Sequence, residues 1–379
     1  MADCTCIYSF TSDRHLADGS RAHIIPSAIG GRRTSTTIAC GHHNNLTNTR
    51  LEKPFIEHFT FFNSMLSIVP GRGGTVPPLR GIRALSGKTY DLRPGGFPED
   101  SRPTVIEHLD DDGTIRRIEL GGYSERVLRR IIDSLKNKYP DLRLEAVRRE
   151  WAQDEIVISK QMQLGPEMPR TAAKIGLEYL AARYSDRALL LGPSFDAARH
   201  FILDGTHEDV CLAFYDPRAE VAVCLGNVDH SVTVACSRET GTACAFITVY
   251  GQLSLTVLLT RSWDGPTIGY EYVVDPLTGA QVEREAPEPH ALSLEQVVNR
   301  YHADRDDWTG RMTMVEGTLN HILAVAERRR PDLARRDLVT KALEEGIWGE
   351  KGDLFTQEDL DRVVAYLADA LADRILGRQ

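Results

Sequence analysis

The sequence predicts an α+β protein with an antiparallel sheet, and three observations carry that prediction. Between residues 124 and 205 the chain reads as helices, the first on the helical spacing of its apolar residues. Short β-branched or alternating segments then crowd into residues 210–260, separated by Gly, Asp and Asn. Helical spacing returns beyond residue 290. Helices followed by a run of strands, rather than strict strand–helix alternation, mark a sheet with segregated helices.

The elements follow in order. The first sixty-odd residues are dense in His, Cys, Asn and Arg. Two breaker-rich stretches come next, Pro70–Pro78 and Arg93–Pro103, and both read as loops or linkers. Ser124 is placed to cap a helix with apolar positions at Val127, Leu128, Ile131, Ile132 and Leu135, closed by Pro140. A second helix is predicted over Arg170–Tyr184, and a third from Ser194 to Gly205. Strands are predicted at Val210–Tyr215, Glu220–Leu225, Ser231–Cys236 and Ala245–Thr260. Pro287 and Pro289 mark a linker over Glu285–His290. Three helices follow, Leu292–Ala303, Thr313–Arg329 and Gln357–Leu376, the last with Leu360, Val363, Val364, Leu367 and Leu371 on one side. These signals divide the chain into residues 1–65, an α+β domain over 66–285, and a helical region over 286–379.

Composition narrows the functional classes. At 379 residues the chain is long enough for two or three domains, and 42% hydrophobic with 26% charged residues is a globular balance. A net charge of −9 excludes a general basic coat for nucleic acid, so any such contact must be a local patch. No apolar run reaches the roughly 18–20 residues of a membrane span, so no membrane partner is expected. The first ten residues lack the basic start and apolar core of a signal peptide, and the expected location is cytoplasmic. Seven cysteines, an odd number in that setting, argue against a disulfide framework. Cys211, Cys224, Cys236 and Cys244 lie in or beside strand-like runs and read as buried thiols. Gly71-Arg72-Gly73-Gly74 is not a phosphate loop, because no Lys-Ser/Thr follows. Asp110–Gly113 reads as a hairpin turn, and His200, His207 and His230 lack ligand spacing.

The chemically informative residues lie near the start. His23-Ile24-Ile25-Pro26 runs into Gly30-Gly31, and Cys40-Gly41-His42-His43-Asn44 opens a helix. This pattern resembles the HNH endonuclease family, the ββα-metal nucleases. There a His-Ile/Val-x-Pro strand and Gly-Gly turn precede a Cys-x-x-Cys/His-Asn element. The resemblance spans Cys4 to about Arg50 and rests on the combined pattern rather than on any single piece.

The resemblance implies a metal-dependent endonuclease that hydrolyses phosphodiester bonds, with DNA as the first-choice partner and RNA not excluded. It makes His23 the general base, since a neutral imidazole titrates near working pH. It makes Asn44 a ligand for Mg²⁺ or Mn²⁺, to which an amide oxygen is a suitably hard donor. Ala22 stands where many members carry a metal-binding Asp, Glu or His, and His42, His43, Asn45 and Asn48 are the candidates to fill that place. A structural Zn²⁺ is implied as well. The second family cysteine falls on Ser9, so the donors would be Cys4, Cys6, Cys40 and His43. Arg21, Arg32, Arg33, Arg50 and Lys53 would contact phosphates. Arg170, Lys174, Phe195, Asp196, Arg199, Ile202 and Gly205 resemble a pattern that follows HNH modules of this type, which implies a domain travelling with the nuclease. A nuclease joined to such a domain resembles bacterial defence or mobile-element proteins. A homodimer would explain double-strand cutting. The alternative is a catalytically degenerate HNH fold that binds nucleic acid or protein without cutting.

Overall fold

The computed structural model describes residues 5–10, 13–101, 104–110, 115–121, 125–140, 165–217, 223–286 and 291–347, together with 364 and 368. The fold is α+β. The chain divides into two compact units. One comprises Met1–Val76 with Gln161–Val325, the other Pro77–Lys160 with Ala326–Gln379. Residues 1–65 therefore share a unit with the long sheet, a partition different from boundaries at 65 and 285.

The first unit opens with β1 (Ala22–His23) paired antiparallel to β2 (Thr34–Ser35), with a 3-10 turn at Ser27–Ile29 between them. One helical run follows: α1 (Gly41–Thr47), a π turn (Asn48–Glu52) and α2 (Lys53–Leu66). The second unit holds β3 (Leu79–Arg83), β4 (Thr89–Arg93) and β5 (Phe97–Asp100) as one antiparallel sheet. It also holds the ribbon of β6 (Thr104–Leu109) and β7 (Ile115–Gly121), and α3 (Glu125–Lys138). Of the two breaker-rich stretches, Pro70–Pro78 holds no strand, as expected, whereas Arg93–Pro103 takes in the end of β4 and the whole of β5, with Gly96 donating to Arg93 O in the hairpin turn between them. Pro98 is accommodated because β5 lies at the sheet edge. The predicted cap Ser124 and most of the Asp110–Gly113 turn lie outside the described residues.

The chain then returns to the first unit with α4 (Glu167–Arg183), α5 (Arg187–Leu190) and α6 (Asp196–Asp204). The strands β8 (Ala213–Tyr215), β9 (His230–Ser237), β10 (Thr242–Val249), β11 (Leu253–Thr260), β12 (Ile268–Val274) and β13 (Gln281–Glu285) follow, and then α7 (Leu294–Asp306). The strands form one antiparallel sheet in the order β13-β12-β9-β10-β11-β8. The helix α8 (Trp308–Ile347) runs on past Pro331, beyond the end expected at Arg329. Of the expected strand Glu220–Leu225, residues 220–222 lie outside the described residues and 223–225 are not in a strand. The expected helix Gln357–Leu376 lies almost wholly outside them.

Both faces of the sheet are covered. On one, α4 comes so close that a Cβ on Gly176 would lie 2.4 Å from Ala245 Cβ. On the other, Leu212, Phe214, Cys244 and Leu258 pack with Leu292 and Val297. Every residue of β11 is buried in consequence, and the strand shows no alternation. Cys211, Cys236 and Cys244 are buried as expected, whereas Cys224 is exposed. The stretch read as one strand, Ala245–Thr260, is two strands joined through Tyr250 (φ 54°) and Gly251 (φ 67°). An aromatic in the left-handed region hides the turn from a sequence reading. Tyr250 is held there by its contacts. Its ring packs on Phe59, Phe62 and His230, and its hydroxyl donates to Asn63 Oδ1 at 2.6 Å.

The fully buried His230 ties the sheet to the N-terminal turn. Its Nε2 bonds to Ile29 O at 2.7 Å, and its Nδ1 accepts from the Tyr250 amide at 3.1 Å. Only the neutral tautomer satisfies both bonds, and burial lowers its pKa to about 4. Between that value and the unfolded value near 6.5 the unfolded chain binds more protons, so the stabilisation is complete above about 6.5 and is lost as pH falls toward 4. Urea unfolding is expected to show about 2 kcal/mol less stability from this group at pH 5 than at pH 7. In His230→Gln that part of the pH dependence should vanish; an unchanged slope would refute it.

Candidate functional site

The N-terminal segment carries two adjoining polar groups, both set by the start of the long helical run. Cys40 is the N-cap of α1, and its Sγ accepts from the His43 amide at 3.5 Å. Asp18 accepts from the Gly41 amide with both carboxylate oxygens, 2.9 and 2.8 Å away, and those bonds lower its pKa. This capping fixes where residues 40–44 point.

Cys6, His15, Cys40 and His43 converge, their donor atoms all within 4.8 Å of one another. His43 Nδ1 lies 3.7 Å from Cys6 Sγ, 3.3 Å from Cys40 Sγ and 3.1 Å from His15 Nε2. A tetrahedral zinc with Zn–S near 2.3 Å and Zn–N near 2.0–2.1 Å spaces neighbouring donors about 3.3–3.8 Å apart, so the group fits that ion. The flanking bonds suit it too. The Cys40 amide donates to Cys6 Sγ at 3.3 Å, and His15 Nδ1 lies 3.1 Å from Ser9 Oγ, which turns Nε2 toward the group. Burial pushes the Cys6 thiol up to about 12 and holds His43, beside His15 and His42, down to about 4.

Three of the four zinc donors expected from the sequence are thus brought together. Cys4 lies outside the described residues, and the fourth donor present is His15. Ser9, rejected as a ligand, orients that histidine instead. The missed signal was a histidine nine positions after Cys6 in a segment carrying no helix or strand pattern.

A cleft of about 420 Å³ adjoins this group, lined by Ser20, Arg21, His23, Asn44, Asn45, Asn48, Glu52 and Arg72. No apolar side chain lines it, which suits an ionic, hydrated ligand and not an apolar one. His23 is almost fully buried at the end of β1. Its Nδ1 accepts from Arg72 Nη2 at 3.2 Å. Burial, followed by the Arg72 charge, lowers its pKa to about 4. Asn44 donates from Nδ2 to Ser20 Oγ at 2.9 Å and to Arg21 O at 3.2 Å. Both donors being taken, Oδ1 is left with no protein partner among the described residues.

The π turn governs the helical side of the cleft. In a regular α-helix Glu52 would be rotated about 80° from Asn44. The wider turn over Asn48–Glu52 underwinds the run, and Asn44, Asn45, Asn48 and Glu52 all line the cleft.

Behind the cleft lies a buried ionic network. Lys174 is fully buried on α4 and places its ammonium 2.6 Å from Glu52 Oε1, 2.8 Å from Glu178 Oε2 and 2.9 Å from His23 O. The ammonium thus donates to the His23 carbonyl and forms ion pairs with both carboxylates. Burial opposes its charge, but the two carboxylates outweigh it and the pKa is raised. Glu178 is raised by its own burial, and Tyr8 donates to its Oε1 at 2.6 Å. Arg199, also fully buried, donates from Nε to Ile7 O at 2.7 Å and pairs with Asp196 at 2.6 Å. Arg170 holds the carbonyls of Phe201 and Ile202 at the end of α6. The residues from 170 to 205 singled out in the sequence therefore clamp α4 and α6 together and onto the N-terminal segment.

The expected phosphate contacts divide. Arg21 lines the cleft, and Arg50 and Lys53 are exposed on the helical run. Arg33 is paired with Glu283 at 3.1 Å, and the Arg32 guanidinium packs over Gly279. Sequence reasoning missed Glu52 and Arg72, which lie in a helix interior and a glycine-rich loop without a motif. Among the described residues no helix is long and apolar enough to cross a membrane. Comparison with family models, curated proteins and solved structures returns no match.

Proposed function

We propose that this protein is a metal-dependent endonuclease of the HNH type, cutting phosphodiester bonds in DNA. The observation that carries the reading is the cleft lined by polar side chains that gathers His23, Asn44, Glu52, Arg21 and Arg72 beside a Cys₂His₂ group, with Cys40 and His43 at the start of the same helical run that carries Asn44 and Glu52. Asn44 Oδ1 and Glu52 are the residues that would hold Mg²⁺ or Mn²⁺. Glu52 supplies the carboxylate absent at Ala22. Such a cation, when bound, supplies positive charge to the phosphate and the leaving oxygen. Arg21 and Arg72 bind phosphate oxygens. His23 takes a proton from water, the water oxygen bonds to phosphorus, one P–O ester bond breaks, and the leaving oxygen is protonated by solvent. Cys6, His15, Cys40 and His43 would hold Zn²⁺ with no position open to substrate, a structural role.

A plasmid cleavage assay in EDTA, Mg²⁺ and Mn²⁺ tests this. Wild type is expected to nick or linearise DNA only with a divalent ion, and His23→Ala to lose about 10²–10⁴-fold. Cleavage indifferent to metal and to His23→Ala would sink the reading. The second reading, a binding module without turnover, is favoured by Ala22 and by Arg72 occupying His23 Nδ1. DNA binding without cleavage in any of these conditions would select it.

A further inference from the structure

We propose that Arg72 receives the scissile phosphate of the substrate, and that its bond to His23 in the free protein caps the base until a phosphodiester draws the guanidinium away. The inference rests on the nuclease reading of the same cleft. A guanidinium only donates, so the 3.2 Å bond from Arg72 Nη2 occupies the Nδ1 lone pair, and the ring proton resides on Nε2. In that arrangement Nδ1 is closed to a water proton.

The capping contact is a weak one for an arginine. Its acceptor is a neutral ring, and no carboxylate pairs with Arg72 among the described residues. Glu52, the one carboxylate lining the cleft, is committed through Oε1 to Lys174 at 2.6 Å. A phosphodiester offers two anionic oxygens to the fork of donors where the ring offers one neutral nitrogen, so the guanidinium gains an opposite charge and a bidentate geometry. The exchange from imidazole to phosphate is therefore downhill.

The loop is built so that only the side chain need move. Gly71 donates to Ser27 O at 2.8 Å, the Arg72 amide to Ser27 Oγ at 3.2 Å, and Gly73 to Pro70 O at 2.7 Å. A Cβ at Gly71 would lie 1.8 Å from Gly31 O, so the loop base is pressed against the Gly30-Gly31 turn. From this fixed backbone the exposed Arg72 side chain can swing between His23 and a ligand in the cleft.

The test uses full-length protein labelled with ¹⁵N-histidine, in EDTA, with and without a short DNA duplex, and the His23 signal is assigned by its loss in His23→Gln. The duplex is expected to move the Nδ1 resonance of His23 in wild type. Free Arg72→Ala should already show the uncapped position, while a lost fold would disturb all twelve histidines. In the plasmid assay Arg72→Ala is expected to lose about 100-fold or more, with partial recovery on adding guanidinium ion. A duplex that binds without moving His23 Nδ1, a duplex that does not bind, or an Arg72→Ala spectrum identical to wild type would overturn the proposal. A shift without cleavage by wild type keeps the phosphate-triggered release and rejects the nuclease. Metal-dependent cleavage without a shift does the reverse.

Discussion

Full-length protein purified without chelator is expected to carry about one zinc per chain, and stripping that zinc is expected to unfold the first unit from its N-terminal end. Among the described residues, the segment around Cys6 and His15 holds only isolated bridges, such as Thr5–Leu16. Zinc that binds the folded chain at a thousand times its dissociation constant stabilises it by about 4 kcal/mol. The loss should spread, because Ile7 O accepts from the buried Arg199 and Tyr8 from the same strip reaches Glu178. Elemental analysis and thermal melting check this. His15→Ala and Cys40→Ala should lose the metal and melt well below wild type, whereas Cys4→Ser should keep both metal and stability. A chain free of metal, with melting indifferent to chelator, would remove zinc from the account. Zinc lost in Cys4→Ser but kept in His15→Ala would restore the donor set expected from the sequence.

Lys174→Met is expected to cost about 3–5 kcal/mol, the penalty for leaving buried charge without its partner. Glu178 is fully buried and Glu52 nearly so, and both carboxylates lean on the one ammonium, as does the His23 carbonyl. Without the lysine, burial and the neighbouring Glu52 charge raise the Glu178 pKa further, opposed by the hydrogen bond from Tyr8. A carboxyl with a raised folded pKa stabilises below its unfolded value and loses that contribution as pH rises through the folded one. The variant should therefore recover stability on acidification relative to wild type, and Glu178→Gln in the same chain should restore part of the loss at neutral pH. Urea unfolding of the three proteins measures it. A loss under about 1 kcal/mol would show that the carboxylates find other partners.

The parts of this architecture legible in the sequence were those with local causes. Helices α4 and α6 fall where helices are expected, and α6 ends at Gly205 in the left-handed conformation that glycine favours. His23, Asn44, Cys6, Cys40 and His43 stood out because their spacing resembles a known pattern, and the structure brings Cys6, Cys40 and His43 to one point and lines the neighbouring cleft with His23 and Asn44. Features with distant causes were not legible. Tyr250 sits in a turn because Phe59, Phe62, Asn63 and His230, far off in the chain, hold it there. His15 joins the cysteines through chain reversal rather than spacing. Strands β12 and β13 carry Glu271, Glu283 and Arg284, charges that obscure an alternating pattern until Arg284 is seen to pair with buried Glu271.

The π turn at Asn48–Glu52 separates two demands that one regular helix would force to share a phase. Upstream, the helix must aim polar side chains at the cleft. Downstream, it must aim Phe55, Phe59, Phe62 and Leu66 into the core. One wide turn resets the angle between the two faces, much as a slipped tooth re-times a gear. Substitutions that refine the packing of α2 therefore leave the bearing of Asn44 and Asn48 undisturbed, and the chemistry of this helix can drift independently of its anchorage.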